Sequence, residues 1–183
     1  MFLRITAGDL KGRRIRVVDT AIRPTEEKVR AALFNTLFSL RYLDGTLFYD
    51  MFAGSGAVGI EALSRGAAHV LFTERDRRRA HHLEEQIALL DLSNRAQVVC
   101  ADAFSAKIAV LLPHPADIIF IDPPYVERER LVPLVTRAIN EGIIASNGIV
   151  IVESDIPLPE MIAGWGRKEK RYGDTRLSFF SKE

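Results

Sequence analysis

The 183-residue sequence contains a single cysteine and a single tryptophan. No apolar run approaches the roughly 18–20 uninterrupted residues that a membrane-spanning helix needs. The lone Cys100 excludes an intramolecular disulfide and suits a reducing compartment. At the amino terminus no basic flank precedes a long apolar stretch, so a secretory signal is not expected and the expected location is cytoplasmic. His69, His81, His82 and His114 show no ligand spacing with Cys100, so no metal is expected. Internal repeats, low-complexity tracts and extended linkers are also missing.

What is present fits an ordinary globular chain: 48% apolar and 27% charged residues, in a length that can bury a core. The net charge of +1 conceals an asymmetry. Residues 1–30 hold eight Lys or Arg (Arg4, Lys11, Arg13, Arg14, Arg16, Arg23, Lys28, Arg30) against four acids, a surplus of four, so the remainder is slightly acidic. A basic arm on an acidic body suits a polyanion partner, because cationic side chains gain sequence-independent affinity from phosphates. A solvated basic hairpin would give the same charge count.

Two short β-like stretches, 2–6 and 14–18, flank the glycine-bounded turn Gly8 to Gly12 and predict a hairpin. Arg23, Pro24 and Thr25, followed by Glu26 and Glu27, read as a helix start with Thr25 as cap. Val29, Leu33, Leu37 and Leu40 continue that helix as an apolar stripe. From residue 46 onward strands and helices alternate. Strands are expected at 46–51, 68–73, 97–100, 117–121 and 148–153, with helices after the glycine-rich turn to 65 and at 76–90, 103–112 and 129–141. Such alternation predicts right-handed crossovers and a parallel sheet with helices on both faces. The last two strands, 167–172 and 175–180, are joined by Gly173 and Asp174 and add an antiparallel hairpin. The expected division is a basic hairpin-and-helix extension at 1–45 and a compact domain at 46–183.

The first strand of the alternating region leads into Asp50, Met51, Phe52, Ala53, Gly54, Ser55, Gly56, Ala57, Val58 and Gly59. Gly54, Gly56 and Gly59 satisfy a G-x-G-x-x-G spacing, which alone is a weak dinucleotide signal. Asp50 separates the possibilities. A carboxylate just ahead of the glycines would repel a pyrophosphate but could bind an amino-acid ammonium group, which favours S-adenosylmethionine over a nicotinamide dinucleotide. Glu74 follows Asp50 by 24 residues, in range for the acid that accepts ribose hydroxyls. Asp76 reads as a helix cap. Asp102 could accept from an adenine amino group, with the Ala103 N–H beside it, although a strand-end acid often caps the following helix. Acids at three successive strand ends, where open α/β sheets bind ligands, favour a nucleoside site.

The most specific signal is Asp122, Pro123, Pro124 and Tyr125 after the apolar run Ile118 to Ile121. Consecutive prolines fix the backbone and remove N–H donors, leaving carbonyls as acceptors. An exocyclic amino nitrogen is a poor nucleophile because its lone pair is delocalised into the base. The Asp122 carboxylate and the Pro123 carbonyl could grip its two hydrogens and orient it. Tyr125 offers a face for base stacking, a contact worth roughly 1–3 kcal/mol, and a base reaching such a site must leave its own stack. The reaction expected is direct methyl transfer aided by positioning, with no metal and no covalent intermediate.

These segments, with Arg4 to Gly8, Lys11 to Arg14, Arg23 to Thr25, Lys28 to Asn35, the stretch 50–67 and Tyr172 to Thr175, make the chain resemble the bacterial 16S ribosomal RNA guanine-N2 methyltransferases of the RsmD type over essentially its whole length. The resemblance implies a seven-stranded, Rossmann-like class I methyltransferase sheet carrying an N-terminal β-hairpin that helps hold RNA. It implies catalytic roles for Asp122, Pro123, Pro124 and Tyr125, and cofactor contacts from Asp50, Phe52, Ala53, Gly54, Gly56, Glu74, Asp102 and Ala103. RNA contacts are expected from Arg4, Lys11, Arg13, Arg14 and Arg23. The implied partner is small-subunit ribosomal RNA, within an assembled or assembling subunit, and the implied state is a monomer. Gln86 stands where related enzymes usually carry Asn. The run from Arg75 to Arg79 reads as a solvated helix face, with an accessory RNA contact as the alternative. Two other functions share parts of the pattern: an adenine-N6 methyltransferase, which generally needs an inserted recognition region, and an RNA-binding assembly factor without activity. A nicotinamide dehydrogenase would leave residues 122–125 without a task.

Overall fold

The computed structural model describes residues 1–17, 27–41, 43–105 and 108–182. The expected helix start at Arg23, Pro24 and Thr25 lies outside the described residues. The chain forms two compact units, Met1–Ala103 and Phe104–Glu183. Among the described residues no helix is long and apolar enough to cross a membrane.

In the first unit, β1 (Phe2–Arg4) and β2 (Arg14–Arg16) pair antiparallel. Helix α1 (Glu27–Leu40) follows, then β3 (Leu47–Asp50), α2 (Ala57–Ser64), β4 (His69–Glu74), α3 (Arg77–Leu89) and β5 (Ala96–Cys100). Strands β3, β4 and β5 pair in parallel with β4 central. Both β3 and α2 are buried throughout, and in β3 this explains the continuous apolar run Leu47 to Tyr49. The stripe on α1 packs inward at Val29, Leu33 and Leu37, whereas Leu40 is partly exposed at the helix end.

The hairpin is fixed to this unit by buried polar contacts. Glu61 of α2 accepts hydrogen bonds from the N–H groups of Thr6 (2.9 Å) and Ala7 (3.1 Å) and from the Thr6 hydroxyl. It also pairs with Arg30 of α1 at 3.3 Å and with Arg65 at 2.9 Å. Arg30, one of the eight cations of the basic arm, is fully buried and donates as well to the Arg4 carbonyl. Gly8 sits against the last turn of α2, where a Cβ would lie 1.7 Å from the Ser64 carbonyl oxygen, so only glycine fits.

The second unit opens with a short 3-10 turn, Ile108–Val110, followed by β6 (Ala116–Ile121). A helix was expected at 103–112; among the described residues only this turn is helical. Pro113 disfavours the helical region for Leu112, which places the end of any helix here before residue 112. A second 3-10 turn, Tyr125–Arg130, leads into α4 (Leu131–Asn140). Then come β7 (Ile144–Ser154), β8 (Met161–Ile162), β9 (Trp165–Tyr172) and β10 (Thr175–Ser181), in the order β6-β7-β10-β9-β8. Only β6 and β7 are parallel; the other neighbours are antiparallel.

The seven expected strands are β3, β4, β5, β6, β7, β9 and β10, and the two-residue β8 is additional. Strand β7 begins earlier than expected because it is bulged: Ile144 pairs with Ala116 and Ile149 with Ile118. Gly148 permits this, since a Cβ there would lie 2.7 Å from Ile144 Cδ1 and 2.9 Å from the Asp117 carbonyl oxygen.

Candidate active site

In the first unit the carboxyl ends of β3, β4 and β5 carry the acids that the sequence marks out. Asp50 ends β3, is almost wholly buried, and accepts the Gly59 N–H at 3.0 Å. Burial pushes its carboxyl up to about 7; the Gly59 hydrogen bond opposes that shift and the nearby Glu74 charge adds to it. Asp50 therefore holds the start of α2 in place while remaining a group that gains from a nearby cation.

The three glycines of the loop divide their work. Gly56 and Gly59 serve packing, because a Cβ at either would lie 2.2 Å from a side-chain carbon, of Leu83 and Phe72 respectively. Gly54 differs. Its φ is +52° and the position of a Cβ opens onto space, with nothing nearer than 3.9 Å. A bare backbone facing open space beside a helix start is what close approach of a ligand needs. Ala53 is buried and donates to the Thr73 carbonyl at 2.9 Å, which pins the loop to β4, and Phe52 beside it is half-buried.

Glu74, at the end of β4, is buried. Its Oε2 accepts the Gly54 N–H at 3.0 Å, and its Oε1 accepts from the Asp76 N–H and from Arg79, both at 2.8 Å. A carboxylate offers roughly four lone-pair sites, so three donors leave little spare capacity, and a hydroxyl bound there shares with or replaces Gly54. Arg79 is a partner the sequence reading did not foresee; its place five residues after Glu74, on the first turn of α3, was the available signal. Asp76 caps α3 as expected, accepting the N–H groups of Arg78 (2.9 Å) and Arg79 (3.0 Å), and those bonds with the neighbouring cations hold its carboxyl below the usual range. Beyond β5 the Ala101 N–H donates to the Glu74 carbonyl at 3.1 Å, which continues the ladder as far as the half-buried Asp102 and the buried Ala103.

In the second unit, β6 delivers the tetrapeptide. Asp122 is half-buried, Pro123 buried, Pro124 exposed, and the Tyr125 ring 60% exposed. The Pro124 carbonyl accepts the Glu127 N–H at 2.8 Å and so closes the 3-10 turn. That commits the second proline to the turn. Arg130 stacks on the Phe104 ring with 3.6 Å to its centroid, and Arg128 pairs with Asp155 at 3.0 Å, so the turn is anchored at both of its arginines.

Of the residues expected to contact RNA, Arg4, Lys11, Arg13 and Arg14 are exposed, and Arg23 lies outside the described residues. Arg4 faces Arg14 across the hairpin and Phe2 faces Arg16, while Leu3 and Ile15 point inward. The outer face thus presents three arginines and a phenylalanine that is 60% exposed, with Arg14 lying over the Phe2 ring. Arg16 was not singled out as a contact, although two-residue alternation along the strand places it on this face.

Known proteins give a consistent comparison. The family model described as Conserved hypothetical protein 95 matches residues 3–181. The Ribosomal RNA small subunit methyltransferase D of Escherichia coli K12 is 36% identical over 185 residues, covering 99% of this chain and 90% of that protein. A candidate rRNA methyltransferase of Bacillus subtilis, YlbH, is also 36% identical, over 98% of this chain and 99% of its own length. Among solved structures, a candidate methyltransferase of Escherichia coli, yhhF, superposes with a TM-score of 0.84 at 32% identity, covering 100% of this chain and 99% of that one.

Proposed function

This chain belongs to the family described as Conserved hypothetical protein 95, that of the small-subunit ribosomal RNA methyltransferase D proteins, and from that premise we propose that it methylates the exocyclic N2 amino group of a guanine in small-subunit ribosomal RNA by direct in-line transfer. The coarser part is plain: the chain is an S-adenosylmethionine-dependent methyltransferase of class I fold acting on ribosomal RNA.

The residues present fit the cofactor. Gly54 leaves open space at the start of α2, where a Cβ would otherwise stand. Asp50 is a buried acid whose raised proton affinity a neighbouring ammonium group would reverse. Phe52 and Ala53 form the loop wall, Glu74 takes a ribose hydroxyl, and Asp102 with Ala103 reads the adenine. S-adenosylmethionine, when bound, supplies an electrophilic methyl group.

The observation that carries the reaction is the delivery of an acid and a proline carbonyl by the buried strand β6, ahead of an exposed aromatic ring on a closed turn. Asp122 and the Pro123 carbonyl accept the two hydrogens of the amino group, which localises the nitrogen lone pair and aims it. The new N–C bond would form as the bond from the methyl group to the cofactor sulfur breaks, leaving S-adenosylhomocysteine, and the Asp122 carboxylate would hold the proton that the nitrogen loses. Pro124 fixes the turn, and Tyr125 stacks on the base. Arg4, Lys11, Arg13 and Arg14, with Arg23, supply phosphate contacts.

Radiolabelled methyl transfer tests this reading, with unmodified small subunits, their deproteinised RNA and duplex DNA as substrates. N2-methylguanine in digests of subunit or RNA is the expected product and shows which form is recognised. N6-methyladenine would replace the guanine assignment, and cofactor binding without transfer to any substrate would replace catalysis with an assembly role.

A further inference from the structure

The cations from Arg75 to Arg79 have no task in the site as a group, and the structure separates them. Arg79 turns to Glu74, whereas Arg77 and Arg78 are exposed on the first turn of α3. Along the same helix lies β2. Arg13 donates to the Leu89 carbonyl at 3.1 Å, the Arg16 N–H to Gln86 Oε1 at 3.0 Å, and His82 Nε2 lies 2.9 Å from the Arg16 carbonyl. These contacts step back along α3 as β2 advances from 13 to 16. The strand therefore runs antiparallel to the helix, with Arg16 towards the helix's amino-terminal turn. Arg78 precedes His82 by four residues and shares its face of the helix. Arg77 is turned about 100° away, because a helix has 3.6 residues per turn.

We propose that the seam between β2 and α3 is a second phosphate-binding face for the RNA substrate, which carries the hairpin's contact from Arg13 through Arg16 to Arg78. The inference rests on the reading of the chain as an RNA methyltransferase. Charge complementarity selects the occupant. Arg13, Arg16 and Arg78 are each exposed, and Arg16 shares the hairpin's outer face with Arg14 and Arg4. Glu85, 3.4 Å from His82, is an acid at the border of the strip. Asp76, nearer the helix start, is occupied as the cap. A line of separated guanidinium groups matches successive phosphates of a nucleic-acid backbone. Gln86 gains a role here: its side chain holds β2 against α3 and so sets the spacing of the line.

Binding of the full chain to deproteinised small-subunit ribosomal RNA, titrated against KCl, tests the proposal. Each phosphate contact contributes about 0.7–0.9 to the slope of log K against log salt. Arg16→Gln and Arg78→Gln are each expected to lower the slope by about one contact and to weaken binding several-fold near 0.1 M salt. Arg78→Lys, which keeps the charge, should retain the slope, and Arg77→Gln should match the parent chain. S-adenosylhomocysteine affinity should not change. If Arg14→Gln lowers the slope while Arg16→Gln and Arg78→Gln do not, the hairpin binds RNA and the seam does not. A slope lost equally in Arg78→Lys would make Arg78 structural and overturn the proposal. Absence of salt-dependent binding by the parent chain would instead remove the RNA reading beneath it.

Discussion

Arg30 and Glu61 form an ion pair of 3.3 Å in which both side chains are entirely shielded from water. The pair joins α1 to α2, and through Glu61 the hairpin backbone at Thr6 and Ala7 is joined to both. Breaking a buried pair by removing one partner costs about 3–5 kcal/mol, because the other charge is left without compensation.

The two partners should not be equivalent. Glu61→Ala removes the carboxylate partner of the buried Arg30 and also the acceptor of two backbone N–H groups. It is expected to cost the full range, about 3–5 kcal/mol. Arg30→Met leaves Glu61 still paired with Arg65 at 2.9 Å and should cost roughly half as much on the same scale. Urea denaturation at constant m-value measures both; equal losses would mean that Arg65 does not compensate.

Asp50 sets a pH dependence with a definite sign. Its carboxyl is raised from 3.8 to about 7 in the folded chain, so the folded state holds this proton more tightly than the unfolded one. Its contribution is fully present below pH 3.8 and is lost as the pH rises to about 7. Asp50→Asn keeps an oxygen for the Gly59 N–H and removes the charge, so at pH 8 it should be more stable than the parent, by about 1–4 kcal/mol. The same variant should bind S-adenosylhomocysteine more weakly. Calorimetry in buffers of different ionisation enthalpy should show proton release on binding between pH 5 and 7 in the parent and none in the variant. Equal proton release in both would assign that proton to another group.

The glycines of the loop should separate stability from binding. Gly59→Ala drives a methyl into Phe72 and is expected to cost about 1–3 kcal/mol through overpacking. Gly54→Ala meets open space and pays only for its left-handed backbone, about 1–2 kcal/mol, but loses cofactor affinity because the methyl stands where the ligand approaches. Thermal midpoints beside S-adenosylhomocysteine titrations decide. Unaltered affinity in Gly54→Ala would place the ligand elsewhere.

Asp122→Ala is expected to abolish methyl transfer and leave cofactor affinity nearly unchanged. Loss of cofactor binding as well would mean that the carboxylate serves the cofactor. Tyr125→Ala should weaken productive RNA binding by about 1–3 kcal/mol, and Tyr125→Phe should restore most of it, since stacking needs the ring and not the hydroxyl.

The elements that were legible in the sequence are those whose signal is local. The alternation of strands and helices, the cap at Asp76 and the turn at Gly173 depend on residues a few positions apart, and apart from the start of β7 the strands, the cap and the turn stand within a residue or two of their expected places. Of the helix expected at 103–112, the described residues form only the 3-10 turn Ile108–Val110. That Asp122, Pro123, Pro124 and Tyr125 follow a buried strand was equally legible, because the apolar run Ile118 to Ile121 precedes them.

By itself, then, the sequence determined the order of the elements and the residue types at their ends, since backbone preference and hydrophobic period act over one or two turns. Only the tertiary structure decided what those residues touch. Arg30 looked like part of a basic arm and is a buried partner of Glu61, 31 residues away. Gln86 looked like a minor variation within α3 and holds the Arg16 N–H, 70 residues distant. Gly54, Gly56 and Gly59 looked alike, yet only the space around each distinguishes the one that faces open space from the two that face the core. The physical reason is common to all three: burial and ion pairing depend on which surfaces meet after the chain has closed, and that information lies in no short stretch of it.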